Sequence, residues 1–311
     1  MRQSATNVMR VRPASFQFNH ETAQSNEFQN NIEDLSREET LRIAQTEFDT
    51  MVTELTSHKI NVLVVHDTIS PEKPDAIFPN NWISMGQDGT MTIFPMKTKN
   101  RQLEKRKDII EFIRDKYQVQ KEMDLSHYEV MNKALEGTGS IVYDHIHKIA
   151  YGCLSPRTEL DLFTDYCTQI GYEAVSFHSF DTQGTLIYHT NVVMCIGSGF
   201  VVIGMDTITD QEEREKLEAK FKASQLEIIY LTNEQILQHF AGNMLQVENM
   251  AGELFLVMSQ RAFQSLTEIQ KIQIEKYAAI LPVSIDLIEK IGGGSARCMM
   301  AEIFLDKKHT I

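Results

Sequence analysis

The sequence holds a single tryptophan, seven prolines and four cysteines in 311 residues, and no uninterrupted apolar run approaches twenty residues. Without such a run nothing reads as a membrane span. No Gly/Ser-rich or Pro-rich stretch divides the chain, so one domain over 1–311 is expected despite the length. Basic residues are also in deficit. Thirty Lys and Arg face 43 Asp and Glu, giving a net charge of −13, and with no basic patch to offset it this field repels phosphate backbones and argues against a nucleic-acid partner. Cys153, Cys167, Cys195 and Cys298 form no CxxC pair, which excludes a disulfide framework and a zinc site and leaves a thiol available for other chemistry. The opening stretch MRQSATNVMRVRPASF has no apolar segment followed by a small-residue cleavage site, so the expected location is the cytoplasm. What is present is 42% hydrophobic and 23% charged residues, enough for a large core and too apolar for disorder.

The apolar residues are organised as a repeat. Four segments read as two strands joined by a short turn: Trp82-Ile-Ser-Met with Met91-Thr-Ile-Phe, Ser140-Ile-Val-Tyr with Lys148-Ile-Ala-Tyr, Asn191-Val-Val-Met-Cys-Ile with Phe200-Val-Val-Ile, and Met244-Leu-Gln-Val with Glu253-Leu-Phe-Leu-Val. A fifth pair is assembled from the two ends, Arg297 to Phe304 and Val8 to Pro13, which would close a circle. Charged segments with helical apolar spacing follow, such as Arg101 to Tyr117 and Gln211 to Ala223. A third strand comes next in each unit: Val62 to Val65, Val119 to Met123, Ala174 to Phe177, Leu226 to Leu231 and Leu281 to Ile285. The expected fold is therefore α/β, a five-bladed α/β propeller of pseudo-fivefold strand-strand-helix-strand units with a period of roughly 50 to 60 residues. Its central mouth, ringed by strand ends and loops, is a natural small-molecule pocket.

Three clusters place polar or reactive side chains beside glycines or at the start of an inner strand: Glu136-Gly-Thr-Gly-Ser140, Tyr188-His-Thr-Asn191 and Gly292-Gly-Gly-Ser-Ala-Arg-Cys298. Consecutive glycines free the backbone for positive φ and close approach to a ligand, and a partly exposed thiol is expected to emerge there. A nucleophilic thiol must ionise, and His189 across the ring can assist it, with Glu136 holding the imidazole and favouring its protonated form. Cys153 and Cys195 read instead as small buried hydrophobes. His145 and His147 have a metal-pair spacing but no third ligand, so a solvated turn is the better reading. In Pro74-Asp-Ala-Ile-Phe-Pro-Asn-Asn-Trp82, read alone, Asn80 and Asn81 are turn residues and Trp82 a core anchor. Arg157 offers either a bidentate carboxylate site or an ordinary ion pair.

Taken together, Glu-Gly-x-Gly, His-x-Asn and Gly-Gly-Gly-x-x-Arg-Cys on a fivefold pattern resemble the pentein guanidine-modifying superfamily of arginine deiminases, dimethylarginine hydrolases and amidinotransferases. The resemblance spans the chain. The strings VRPASFQFN, PDAIFPNNW, LEGTGS, LSPRT, YHTNVVMCIG and GGGSARCMMAEIF are similar to the citrulline-utilisation hydrolase group. It implies Cys298 as nucleophile, His189 as general acid and base, Glu136 as its partner, and Asp75 and Arg157 as substrate-binding residues, with Arg297 a further candidate. It implies no metal and no organic cofactor, and a small amino acid as the bound partner.

This sequence departs from the superfamily where arginine deiminases clamp a guanidinium with two aspartates: the matching positions are Asn81 and Asn191. Carboxylates suit a cation, whereas a carboxamide both donates and accepts and so fits a neutral ureido group. The expected reaction is hydrolysis of citrulline to ornithine, ammonia and carbon dioxide through a covalent thio-adduct. Guanidine chemistry, with Asp75 as the replacement acid, and a non-catalytic binding module are the alternatives. Oligomeric state is not legible in the chain.

Overall fold

In the computed structural model, which describes residues 1–32 and 34–308, strand β1 (Asn7–Arg12) lies parallel to β2 (Asn61–His66), with helix Arg37–Ser57 crossing between them. The rest of the chain repeats one pattern. Strands β3 (Ile83–Met85) and β4 (Thr90–Ile93) pair antiparallel, a helix follows, and β5 (Lys121–Asp124) returns parallel to β4. The same order holds for β6 (Ile141–Asp144), β7 (Ile149–Cys153) and β8 (Glu173–Phe177). It holds again for β9 (Met194–Gly197), β10 (Phe200–Ile203) and β11 (Glu227–Tyr230), and for β12 (Leu245–Glu248), β13 (Leu254–Ser259) and β14 (Ala279–Val283). Strand β15 (Ala301–Ile303) then pairs antiparallel with β1, Asn7 opposite Ile303, so one unit is built from both ends of the chain.

The fold is thus mixed α/β, and the strands form no closed barrel. Four sheets are present among the described residues, because β15 also pairs with β3 through Ile303 and Met85 and fuses two units into one six-stranded sheet, β2-β1-β15-β3-β4-β5. The other three sheets have three strands each.

Local chemistry explains the elements. Helix Gln211–Ala223 begins where the Asp210 side chain accepts the Glu213 N–H, carries Glu212 and Glu213 in its first turn and Lys220 and Lys222 in its last, and buries Leu217 and Phe221 one turn apart. Those are the bounds expected from its sequence. The single helix expected over 101–117 is broken into Lys99–Gln102 and Lys107–Lys116. The break follows from Arg101, whose guanidinium turns inward to a buried pair with Glu104. Trp82 is a core anchor as expected, packed with Met9, Met91 and Ile303.

Just upstream of each unit's first strand the chain makes one tight turn. Pro79–Asn81, Gly137–Ser140 and Thr190–Val193 are single helical turns, while Asn243 N–H to Phe240 O (2.8 Å) and Cys298 N–H to Ser295 O (3.0 Å) close the other two. Two expected strands are corrected here: Asn191-Val-Val and Arg297-Cys298 belong to these turns, not to strands. Val192 and Val193 are fully buried, and a run of apolar residues wedged between sheets carries no period that separates turn from strand. Neighbouring turns are stitched together: the Thr138 hydroxyl donates to Asn80 O (3.3 Å), Thr190 to Ser140 O, Asn243 Nδ2 to Asn191 O (2.8 Å), and Arg297 N to Asn243 Oδ1 (3.1 Å).

Candidate functional site

The inner turns bring the sequence-predicted residues to one place. Asp75, Asn81, Arg157, His189 and Cys298 line a single narrow cavity, together with Arg101, Tyr188 and Gly292 to Gly294. Glu136 and Asn191 stand directly behind His189 and Cys298: Glu136 Oε2 is 2.9 Å from His189 Nε2, and Asn191 Nδ2 donates to Cys298 Sγ at 3.4 Å. Glu136 and His189 occupy equivalent places, immediately before the helical turns that lead into β6 and β9. Of the three glycines only Gly293 takes a positive φ, at 61°. Close approach matters more at Gly139, where a Cβ would lie 2.4 Å from Asn81 Nδ2 and 2.7 Å from His189 Nδ1. The Cys298 thiol was expected to be partly exposed; it is 3% exposed, and the glycine run before it is held by Asn26 and Gln29, whose amides donate to Gly293 O and Gly292 O.

Electrostatics decide the proton inventory. Burial raises the Glu136 carboxyl, but Arg157 (3.6 Å), the His189 hydrogen bond and Arg101 (3.8 Å) outweigh it and hold the carboxyl well below its usual range. His189 moves the other way from the sequence expectation. Burial pushes its imidazole down to about 4, and Glu136 only partly offsets this because Arg157 and Arg101 add to the effect. The imidazole is therefore neutral near pH 7. Since an ionised Glu136 can only accept, Nε2 carries the ring hydrogen and Nδ1 keeps its lone pair.

Several polar atoms of the site are buried without a hydrogen-bond partner among the described residues: Asn81 Nδ2, Asn191 Oδ1 and Asp75 Oδ1. Asn81 Oδ1 is committed to Arg101 Nη1 (2.8 Å), and Asp75 Oδ2 accepts from Asn19 (2.7 Å) and Thr22 (3.1 Å). Burial raises the Asp75 carboxyl, partly offset by Arg101. Arg157 lies over the Tyr188 ring and donates to Thr22 O and Ser25. Arg297 is not brought into the cavity. Its guanidinium donates to Met300 O and Glu302 Oε2, both at 2.9 Å, in a separate pocket. The reason is the turn at Cys298, which sends adjacent side chains to opposite sides.

Two residues of the site escape sequence reasoning. Arg101 looks like one charge on a polar helix, and only its i, i+3 partner Glu104 hints at a buried pair. Asn243 has no motif signal, yet it contacts Cys298 Sγ at 3.2 Å. His145, expected in a solvated turn, is instead buried against Tyr143 and bonded to Tyr172 (2.8 Å), with its imidazole pushed down to about 4 by burial. Cys153 and Cys195 are buried, free thiols, pushed up to about 12 by burial. Among the described residues no three His, Cys, Asp or Glu side chains converge as a metal-binding group. No described helix is long and apolar enough to cross a membrane.

The sequence pattern of the family "N,N dimethylarginine dimethylhydrolase, eukaryotic" matches residues 12–305. The chain belongs to this family. The dimethylarginine dimethylhydrolase family falls within the pentein guanidine-modifying superfamily, as the motifs implied, and the homologues in it are C–N bond hydrolases. Solved structures agree in fold. The substrate-bound N-terminal domain of ArgZ, an arginine dihydrolase from the ornithine–ammonia cycle in cyanobacteria, is 16% identical, with a TM-score of 0.74 over 96% of this chain and 97% of that one. AgrE in complex with ornithine and NAD+ gives 16% and 0.73 over 98% of this chain, and the dimethylarginine hydrolase of Pseudomonas aeruginosa with citrulline gives 12% and 0.65 over 96% of this chain and all of that one. The chain spans 40% of the length of full-length ArgZ and AgrE. No curated protein matches the sequence.

Proposed function

We propose that this family member hydrolyses the ureido group of citrulline, giving ornithine, ammonia and carbon dioxide. The observation that carries the reading is the pair of orphaned amide atoms. Arginine only donates, so its bond to Asn81 Oδ1 leaves Asn81 Nδ2 as a free donor, while Asn191, with Nδ2 turned to the sulphur, leaves Oδ1 as a free acceptor. One donor and one acceptor suit a ureido carbonyl and its N–H groups. A guanidinium, which only donates, would meet the Asn81 donor unfavourably.

In this mechanism neutral His189 takes the Cys298 proton at Nδ1, and the thiolate attacks the ureido carbon. The imidazolium, held by Glu136, returns that proton to the departing amine as the C–N bond breaks, leaving a carbamoyl thioester. His189, neutral again, draws a proton from water for the second attack, and the adduct leaves as carbamate, which yields ammonia or ornithine with carbon dioxide. Arg157, and Arg101 beside it, supply the positive charge for the substrate carboxylate, and Asp75 Oδ1 faces its ammonium. The five repeated units are read as a five-bladed propeller and as one domain over 1–311. The free thiols fit a reducing cytoplasm.

A second reading, hydrolysis of a guanidino substrate, is favoured by the family itself and by the unpartnered Asp75 oxygen. Incubation with citrulline, arginine and dimethylarginine in turn, with products followed by mass spectrometry and C298A as control, separates the two. Ornithine from citrulline alone is expected. Citrulline from arginine or dimethylarginine would move the cation-binding role to Asp75, and turnover by C298A would remove the covalent mechanism.

A further inference from the structure

The Cys298 sulphur faces two carboxamides, and one of them is also tied to the backbone that carries the thiol. Asn243 is fully buried in the turn before β12. Its Nδ2 lies 3.2 Å from Cys298 Sγ and 2.8 Å from Asn191 O, and its Oδ1 accepts from the backbone N–H of Arg297 (3.1 Å) and of Cys298 (3.4 Å). One side chain thus spans the turn after His189 and the turn bearing Cys298.

We propose that Asn243 is a positioning residue that stabilises the anionic Cys298 sulphur and fixes it against the His189 turn. The inference rests on Cys298 being the nucleophile. A neutral thiol is a weak acceptor, whereas a thiolate receives charge-assisted hydrogen bonds, so donors fixed at Sγ favour ionisation. The need for such donors follows from the cavity. The charged and titratable groups that share it are His189, Tyr188, Arg101, Arg157 and Asp75, with Glu136 behind. Arg101 and Arg157 direct N–H groups to Glu104, Asn81, Thr22 and Ser25, and neither makes a hydrogen bond to Sγ among the described residues. The amide donors of Asn191 and Asn243 are the groups in hydrogen-bond contact with Sγ.

The test follows the pH profile of Cys298 alkylation by iodoacetamide in the full chain, with C298A as blank. The three other thiols are buried and titrate too high to interfere. In Asn243→Ala, which removes the donor without adding a charge, the alkylation midpoint is expected to rise by about one pH unit or more, and in Asn243→Asp, which keeps the oxygen that accepts from the backbone but sets a carboxylate beside the sulphur, it should rise further. Turnover should fall at least about tenfold with KM changed less than about threefold. A merely structural role would lower the folded fraction without moving the midpoint. If Asn243→Asp fails to fold, Asn243→Ala decides alone. A folded variant with the wild-type midpoint would overturn the proposal. C298A that retained turnover would instead remove the nucleophile reading, and the alkylation midpoints would still be measured, so the two failures are distinct.

Discussion

A buried carboxamide that gives one atom to the protein has its other atom defined for a ligand. Arg101 fixes the orientation of Asn81, and Asn191 turns its Nδ2 to the sulphur, so the pair presents one donor and one acceptor. Replacing both with aspartate removes the donor at 81 and sets a carboxylate against the sulphur at 191. Asn81→Asp would also set a fourth carboxylate beside Arg101, which is already paired with Glu104 and has Asp75 and Glu136 at 3.9 and 3.8 Å. Citrulline kcat/KM of the double variant is therefore expected to fall at least about 30-fold, about 2 kcal/mol of transition-state stabilisation. Unchanged citrulline kinetics would show that neither amide contacts the ureido group. The same scale explains why His189 departs from the sequence expectation. Glu136 does favour the imidazolium, but its effect competes with complete burial and two guanidinia, and burial wins.

At the scale of elements, Glu136, His189, Asn243 and Cys298 all sit on or just before turns that precede strands. Each turn is short and buried, and the Glu136 turn can approach the His189 turn because position 139 has no side chain. Gly139→Ala is expected to push its methyl into Asn81 and the His189 ring. Overpacking of this kind costs about 1–3 kcal/mol. A drop in melting temperature of a few degrees and a loss of activity of about a hundredfold or more are expected, read by thermal unfolding and steady-state rates; wild-type activity in this variant would show that the two turns have slack. This dependence on turns also sets what was legible in the sequence. Strands such as Phe200–Ile203 and the helix Gln211–Ala223 announce themselves through apolar period and capping residues, and Cys298, His189 and Glu136 through their glycine-rich or motif surroundings. Arg101, Asn243 and the turn at Asn191 do not. Whether a charged side chain turns inward, and which amide faces the sulphur, depends on contacts between units that are distant in sequence, and local pattern carries no trace of them.

At the scale of the whole molecule, the repeated units depend on a segment that belongs to none of their hairpins. Gln3 donates to Tyr143 O (2.8 Å) and Ile196 O (3.3 Å) and accepts from His145 N (2.9 Å), Ser4 donates to Gln246 (2.7 Å), and Ala5 O accepts from Glu248 N (3.0 Å). Residues 3–5 are buried and so bridge the units of β6, β9 and β12, while the next residues enter β1 and meet β15. A stitch across three units stabilises their mutual arrangement more than any one of them. Removing residues 1–6 gives up these five hydrogen bonds at about 1 kcal/mol each, so a melting temperature lower by roughly 10 °C is expected. Its signature should be distributed. Hydrogen exchange should quicken in β6, β9 and β12 together, and kcat should fall because the turns carrying Glu136, His189 and Asn243 are held in register by those same strands. Faster exchange confined to β1 and β2, with unchanged kcat, would mean that the units keep their arrangement without the stitch and that the turns alone hold the site together.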